Sequence, residues 1–167
     1  MSFVVHFLPA ETAAGPDPLG AADGTRDADS SHELSTREIE TWDALHPALT
    51  GVLPQGSHEV AANRYSRQLT HDKTGLTVTW THGDYRISLP FWSLNTSTDT
   101  FDTLVRLTEE IESATGLVGV DEISQARFLD HAAEVSASFA AIADGIEEAM
   151  ERQTVLGWVR SLFHRNR

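Results

Sequence analysis

The chain has 167 residues, of which 40% are apolar and 22% are charged, a composition typical of a folded domain rather than a disordered segment. It contains no cysteine, so disulfides, thiolate metal sites and cysteine nucleophiles are excluded. The formal net charge of −13 opposes contact with a phosphate backbone, so we expect no nucleic-acid partner.

The N-terminal residues 2–8 alternate apolar and polar side chains, which predicts a β-strand. This run ends at Pro9 and lacks the basic flank of a signal peptide, and together with the absence of cysteine it favours a cytoplasmic protein. Residues 9–33 are rich in glycine, proline and aspartate. They are predicted to form a flexible loop.

A helix is predicted to begin at Ser35 or Thr36 and to run to about residue 50. Ser35, with Glu38 three residues later, matches the capping box, in which each side chain satisfies a free backbone N–H of the other residue. Pro47 lies inside the run and is expected to kink or shorten the helix. The apolar residues that recur at helical spacing are Ile39, Trp42, Leu45 and Leu49.

Three strands are predicted next, over residues 63–70, 76–81 and 85–91. Glycine-containing turns separate them, and the last two strands alternate strictly between apolar and polar side chains. This pattern is typical of an antiparallel meander that buries one face of its sheet.

The aromatic residues of these strands divide between the two faces of the predicted sheet. Alternation assigns Trp80, Tyr85 and Phe91 to the apolar face, where they are expected to be core residues. Trp92 falls on the opposite face from Phe91. An exposed tryptophan there is a candidate for partner binding.

A second helix is predicted from about residue 98 to the residue before Gly116. Asp99 and Asp102 lie in its first turn, where the helix dipole favours acidic groups. Residues 117–120 then form a short strand. The order β-α-β-β-β-α-β predicts an α+β fold with a mostly antiparallel sheet of four or five strands and helices on one face.

Residues 1–122 are therefore expected to form an α+β domain, and residues 123–167 a long C-terminal helical extension. From Ser124, seven apolar residues recur at alternating spacings of three and four, as in a heptad seam. Two interpretations remain open for this seam: packing against the domain itself, or pairing with a partner or a second copy through residues 124–151. The seam residues are Phe128, Ala132, Val135, Phe139, Ile142, Ile146 and Ala149.

Charge is distributed unevenly between the body and the C-terminal tail. The first 151 residues hold all 25 acidic and eight of the 12 basic residues, a net charge of −17, whereas residues 152–167 hold four arginines and no acid, a net charge of +4. The tail combines these arginines with an apolar stripe, the pattern of an amphipathic helix. Docking on the parent domain, contact with a partner or a second copy, and weak association with a membrane are the alternatives. The candidate partner-binding residues are Val155, Leu156, Trp158, Val159, Arg160, Leu162, Phe163 and Trp92.

No sequence motif points to catalysis. The nucleophile elbow of α/β-hydrolases, the dinucleotide-binding glycine pattern and the P-loop are all absent. Of the eight histidines, His71 and His82 lie on predicted turns at opposite ends of one strand, too far apart to share a metal ion. We interpret them as surface residues. The sequence therefore predicts no catalytic residue, no cofactor and no metal site, in a protein that is not an enzyme.

Five segments together resemble a group of small, uncharacterised actinobacterial proteins. They are Met-Ser-Phe…Phe-Leu-Pro at 1–9, the Leu-Ser-Thr-Arg-Glu run at 34–43, the Ser-Arg-Gln-Leu-Thr run at 66–76, Ile-Ser-Leu-Pro-Phe-Trp at 87–92, and the Thr-Gly-containing stretch at 111–121. The resemblance covers about residues 1–125 and implies no catalytic residues. The chain departs from it where the long helix and the basic tail begin.

Two functional hypotheses follow from these patterns. The first is a non-enzymatic protein-binding module, for example an immunity or inhibitor protein that captures a basic partner through its acidic surface. The second is an adaptor or assembly component that docks onto a larger complex or a membrane surface through the helix 124–163. The acidic body without any recognisable site chemistry favours the first.

Overall fold

The computed structural model describes residues 2–25, 32–56, 58–90 and 98–138. The chain divides into two units, Met1–Ala132 and Ala133–Arg167, and of the second unit only residues 133–138 are described, as helix. The predicted domain boundary lies earlier, between residues 122 and 123. The eight candidate partner-binding residues, Trp92 and those between 155 and 163, all lie outside the described residues.

The first unit is built on one antiparallel sheet, which confirms the predicted α+β fold. Its strands are β1 Ser2–Leu8, β2 His58–Ala62, β3 Ser66–His71, β4 Thr77–Thr81, β5 Asp84–Pro90 and β6 Val118–Asp121. Their order across the sheet is β2-β3-β4-β5-β1-β6. The sheet thus has six strands where four or five were predicted. The unpredicted strand is β2, whose five residues are all exposed and therefore lack the alternation that marks a half-buried strand.

The helices that lie in this unit or begin in it differ in length and in how accurately the sequence predicted them. They are α1 Ala10–Ala13, α2 Pro18–Thr25, α3 Thr36–Val52, α4 Thr98–Thr115 and α5, which begins at residue 128 and is described to residue 138. Both α3 and α4 match their predictions closely. The described part of the predicted loop 9–33 instead contains α1 and α2.

Local hydrogen bonds explain why α2 forms in a segment of loop-like composition. The side chain of Asp17 accepts a hydrogen bond from the N–H of Gly20 at 3.0 Å, and its carbonyl accepts one from Ala21 at 3.0 Å. Pro18 occupies the first helical position, where its missing N–H costs no hydrogen bond. Asp17 therefore caps a helix too short to show an apolar period.

The two long helices cover one face of the sheet. Apolar side chains of α3 and α4 point inward at spacings of three and four residues and meet alternate residues of the central strands. The inward residues of α3 are Trp42, Leu45 and Leu49, those of α4 are Phe101, Leu104, Leu107 and Ile111, and the sheet contributes Phe3, Val5, Phe7, Leu69, Val78, Trp80, Ile87 and Leu89. Pro47 does not end α3, which continues beyond it to Val52.

A second, smaller core lies at the β1–β6 end of the sheet. Phe7 and Leu8 are both buried although consecutive strand residues point to opposite faces, so each face is covered at this point. Leu8 and Val120 pack together with Ala13 and Leu19, which belong to α1 and α2. The short helices α1 and α2 therefore cover part of the sheet face opposite α3 and α4.

Candidate binding surface and polar clusters

The outward surfaces of α3 and α4 form one acidic face. Because both helices lie on the same side of the sheet with their apolar stripes turned inward, their polar residues share the opposite side. Arg37 and Arg106 are the exposed basic residues on these two helices. The exposed acidic residues, which together define the acidic helical face, are Glu40, Asp43, Asp99, Asp102, Glu109 and Glu110.

These six carboxylates are not neutralised by partners in the described part of the chain. No ion pair to any of them occurs there, whereas some acids elsewhere are paired, as in Arg64 with Glu33 at 3.3 Å and Arg127 with Glu112 at 2.7 Å. Unpaired like charges on one surface produce a negative potential that extends into solvent. The acidic helical face is therefore suited to attract a cationic partner.

A groove of about 380 Å³ runs between α3 and α4 within this face. Its apolar lining comes from alanines on both helices and from Leu45, and its polar groups come from Arg37, Glu40, Thr41 and Glu110. Small side chains leave room for a large apolar side chain of a partner. Carboxylates beside the groove suit a basic residue next to that apolar anchor. The alanines are Ala44, Ala48 and Ala114.

Glu38 is the centre of a polar cluster that joins α3 to the β4–β5 turn. Its carboxylate accepts hydrogen bonds from the N–H and hydroxyl of Ser35 at 2.8 and 2.7 Å. It also accepts from the Tyr85 hydroxyl at 2.7 Å and the Gly83 N–H at 3.1 Å, and contacts Nδ1 of His82 at 3.0 Å. Gly83 has a φ of 65°, which lets the turn aim its N–H at the carboxylate.

The shifted pKa values of Glu38 and Tyr85 make proton transfer within this cluster unfavourable. Burial alone would raise the pKa of Glu38, but the hydrogen bonds from Ser35, Tyr85 and His82 lower it to about 2. Burial, and then the contact with Glu38, raises the pKa of Tyr85. At neutral pH Glu38 is thus held ionised and Tyr85 protonated. The cluster therefore holds α3 against the β4–β5 hairpin.

Asp121, Ser124 and His131 form a second cluster after β6. The fully buried Asp121 accepts hydrogen bonds from the N–H groups of Ile123 at 2.9 Å and Ser124 at 2.8 Å, and from the Ser124 hydroxyl. Nε2 of His131 lies 2.9 Å from the same carboxylate and 2.7 Å from the Ser124 hydroxyl. Burial would raise the pKa of Asp121, and these hydrogen bonds lower it.

The residue types of this cluster match a hydrolase triad, but their arrangement differs. In a triad the acid and the nucleophile contact opposite nitrogens of the histidine ring, so that the ring can take a proton from one side while it is oriented from the other. Here Asp121 and Ser124 share Nε2 of His131. The arrangement instead holds the turn between β6 and α5.

His71 is buried, contrary to the predicted surface position. It is 1% exposed, and its Nδ1 lies 2.9 Å from the Thr74 hydroxyl. Its Nε2 has no hydrogen-bond partner among the described residues, and the backbone of Gly56 packs so closely that an added Cβ would lie 2.9 Å from this nitrogen. Burial lowers the pKa of His71, so the ring is neutral at neutral pH. Within the described ranges, no group of three or more histidine and carboxylate side chains is arranged to hold a metal ion.

Comparisons with known proteins found no relative of this chain. No protein-family model, curated protein or solved structure matches this chain. The similarity to actinobacterial proteins stays a prediction, and no role is transferred from another protein. None of the helices in the described ranges is both long and apolar enough to cross a bilayer.

Proposed function

We propose that the protein is a binding module that captures a basic protein partner on its acidic helical face. The observation that carries this proposal is that Glu40 and Glu110, two of the six carboxylates without an ion pair among the described residues, line an apolar groove between α3 and α4. The carboxylates accelerate encounter with a cationic surface, and the groove supplies the close packing that slows dissociation.

An immunity or inhibitor protein directed against a basic toxin is the specific form of this proposal. Such a protein blocks its target by occupying the target's cationic surface, and it needs no catalytic residue of its own. The contacts of Glu38 and Asp121 stabilise turns and are not part of the proposed binding surface. The adaptor hypothesis depends on the predicted helix 124–163, of which the structure describes residues 124–138, with helix from residue 128.

A titration with a defined probe tests the proposed surface. We expect a synthetic helical peptide that presents leucines between arginines to shift the amide resonances of Ala44, Ala48 and Ala114. Replacing Glu40 and Glu110 with lysine should weaken binding about tenfold or more, because like charges would then face each other beside the groove. Higher salt should also weaken binding of the unaltered protein.

A matched pair of charge reversals provides the control. Glu11→Lys with Glu122→Lys makes the same change in net charge at exposed positions outside the acidic helical face. We expect this variant to bind the peptide within about threefold of the unaltered protein. An equal loss in both double variants would contradict the proposal, as would resonance shifts located outside the groove.

A further inference from the structure

The strand β2 forms one edge of the sheet and carries an exposed apolar residue. All five of its residues are exposed, and among the described residues no strand pairs with its outer side. Val60, at its centre, is 45% exposed. Natural sheets protect such edges with short strands, charged side chains, proline or a bulge. The five-residue β2, His-Glu-Val-Ala-Ala, carries one charged side chain, Glu59, and includes neither lysine nor proline.

The β2–β3 hairpin determines which backbone groups this edge presents. The hairpin is closed by a hydrogen bond from the Asn63 N–H to the Ser66 carbonyl at 3.0 Å. Because hydrogen-bonded and non-hydrogen-bonded pairs alternate along an antiparallel ladder, Ala61 and Glu59 direct their backbone groups towards β3. The residues whose N–H and C=O groups point away from the sheet are His58, Val60 and Ala62.

We propose that β2 pairs with β2 of a second copy of this chain, antiparallel and about a two-fold axis through Val60. In that register Val60 faces its own counterpart, and His58 faces Ala62 of the other copy. All three residues present outward backbone groups, so each pair forms the closely spaced hydrogen bonds of an antiparallel ladder. Two six-stranded sheets then join into one continuous sheet.

The side chains of β2 are compatible with this register. Glu59 faces Ala61 of the other copy, so no like charges lie directly opposite each other. The two Val60 side chains, on the same face as Leu69, meet on the axis and shield each other from water. This register therefore allows the backbone hydrogen bonds and the side-chain pairs between the two strands to form together.

The dimer formed in this way is weak and favoured by salt. A five-residue strand buries less surface than a standard stable interface, which buries roughly 1,200–2,000 Å² in total. Both copies carry a net charge of −13, whose repulsion is screened at high ionic strength. The interface borders the acidic helical face at Asp43, which lines a pocket together with Val60 and Ala62. The groove residues Glu40 and Glu110 do not line that pocket, so the pairing does not rest on the proposed function.

Sedimentation and hydrogen exchange of the full chain test this pairing together. We expect the weight-average mass to rise towards that of a dimer as the concentration approaches about 1 mM in about 0.5 M salt. Over the same range, exchange of the Val60 and Ala62 amides should slow. The Ala61 amide, bonded within the hairpin, should be protected at every concentration.

Variants at Val60 and Ile123, the two exposed large apolar residues in the described part of the chain, make the test specific. Val60→Pro removes an outward N–H without breaking a bond to β3, and Val60→Lys adds repelling charges on the axis. Both should remain monomeric, whereas Ile123→Lys, at a residue that is 62% exposed and distant in sequence, should still dimerise. A weight-average mass that stays equal to that of the monomer up to about 1 mM would overturn the proposal. A dimer that persists in both Val60 variants, or one lost equally in Ile123→Lys, would overturn it too, as would an extended peptide from another protein that binds this edge while the chain stays monomeric.

Discussion

Replacing Phe128 with alanine is expected to lower the free energy of unfolding by about 3–5 kcal/mol. The Phe128 side chain is 0% exposed, and its ring centroid lies 5.9 Å from that of Phe3 and 5.8 Å from that of Phe101. Truncation would remove its contacts with both rings and leave a cavity between the sheet and α4. Urea denaturation monitored by tryptophan fluorescence measures the loss.

Ile123 provides the control for this substitution. It lies five residues earlier and is 62% exposed, so Ile123→Ala should change the free energy of unfolding by no more than about 0.5 kcal/mol. The comparison tests whether residues beyond the predicted boundary at 122 belong to the core of the first unit. A loss below about 1 kcal/mol for Phe128→Ala would show that they do not.

Replacing Glu38 with alanine is expected to cost about 3 kcal/mol of unfolding free energy at pH 7. A pKa of 4.5 in the unfolded chain and about 2 in the folded protein corresponds to a free-energy difference of about this size. The substitution would leave the Tyr85 hydroxyl and the Gly83 N–H without their acceptor. Chemical denaturation of both proteins measures the difference.

The cost of losing Glu38 should depend on pH in a defined direction. A carboxyl group whose pKa is lowered by folding stabilises the protein above its unfolded pKa, and this stabilisation is lost as the pH falls through the folded pKa. The difference between the two proteins should therefore be constant above about pH 5.5 and shrink by about half or more at pH 3. Glu38→Gln, which keeps the shape but not the charge, should show an intermediate loss at pH 7. An equal difference at pH 7 and pH 3 would contradict the assigned role of the charge.

Local sequence signals predicted the elements that depend on local interactions. The capping box of Ser35 and Glu38 located the start of α3 because both partners lie within one turn. Alternation located β4 and β5 because one face of each strand is buried. β2 was missed because it is exposed on both faces, and α2 because its cap stabilises a helix with no apolar period.

The candidate site was predictable in character but not in position. The excess of acid is visible in the composition, whereas the position of Glu40 and Glu110 beside a groove depends on how α3 packs beside α4. Glu38 was recognised as a cap, but its contacts with Gly83 and Tyr85 join residues more than 40 positions apart. Likewise, no spacing rule indicated that Asp121 and His131 would meet across a turn.

Photo-cross-linking in cells tests the central claim, capture of a basic partner by the acidic helical face, most directly. A photoreactive amino acid would replace Ala44 in the groove and, in a matched control, Thr79 at the centre of the sheet's polar face. We predict that the groove position is cross-linked to a basic protein that the control position does not capture. Cross-linking only from Thr79, or capture of an acidic protein from Ala44, would contradict the claim.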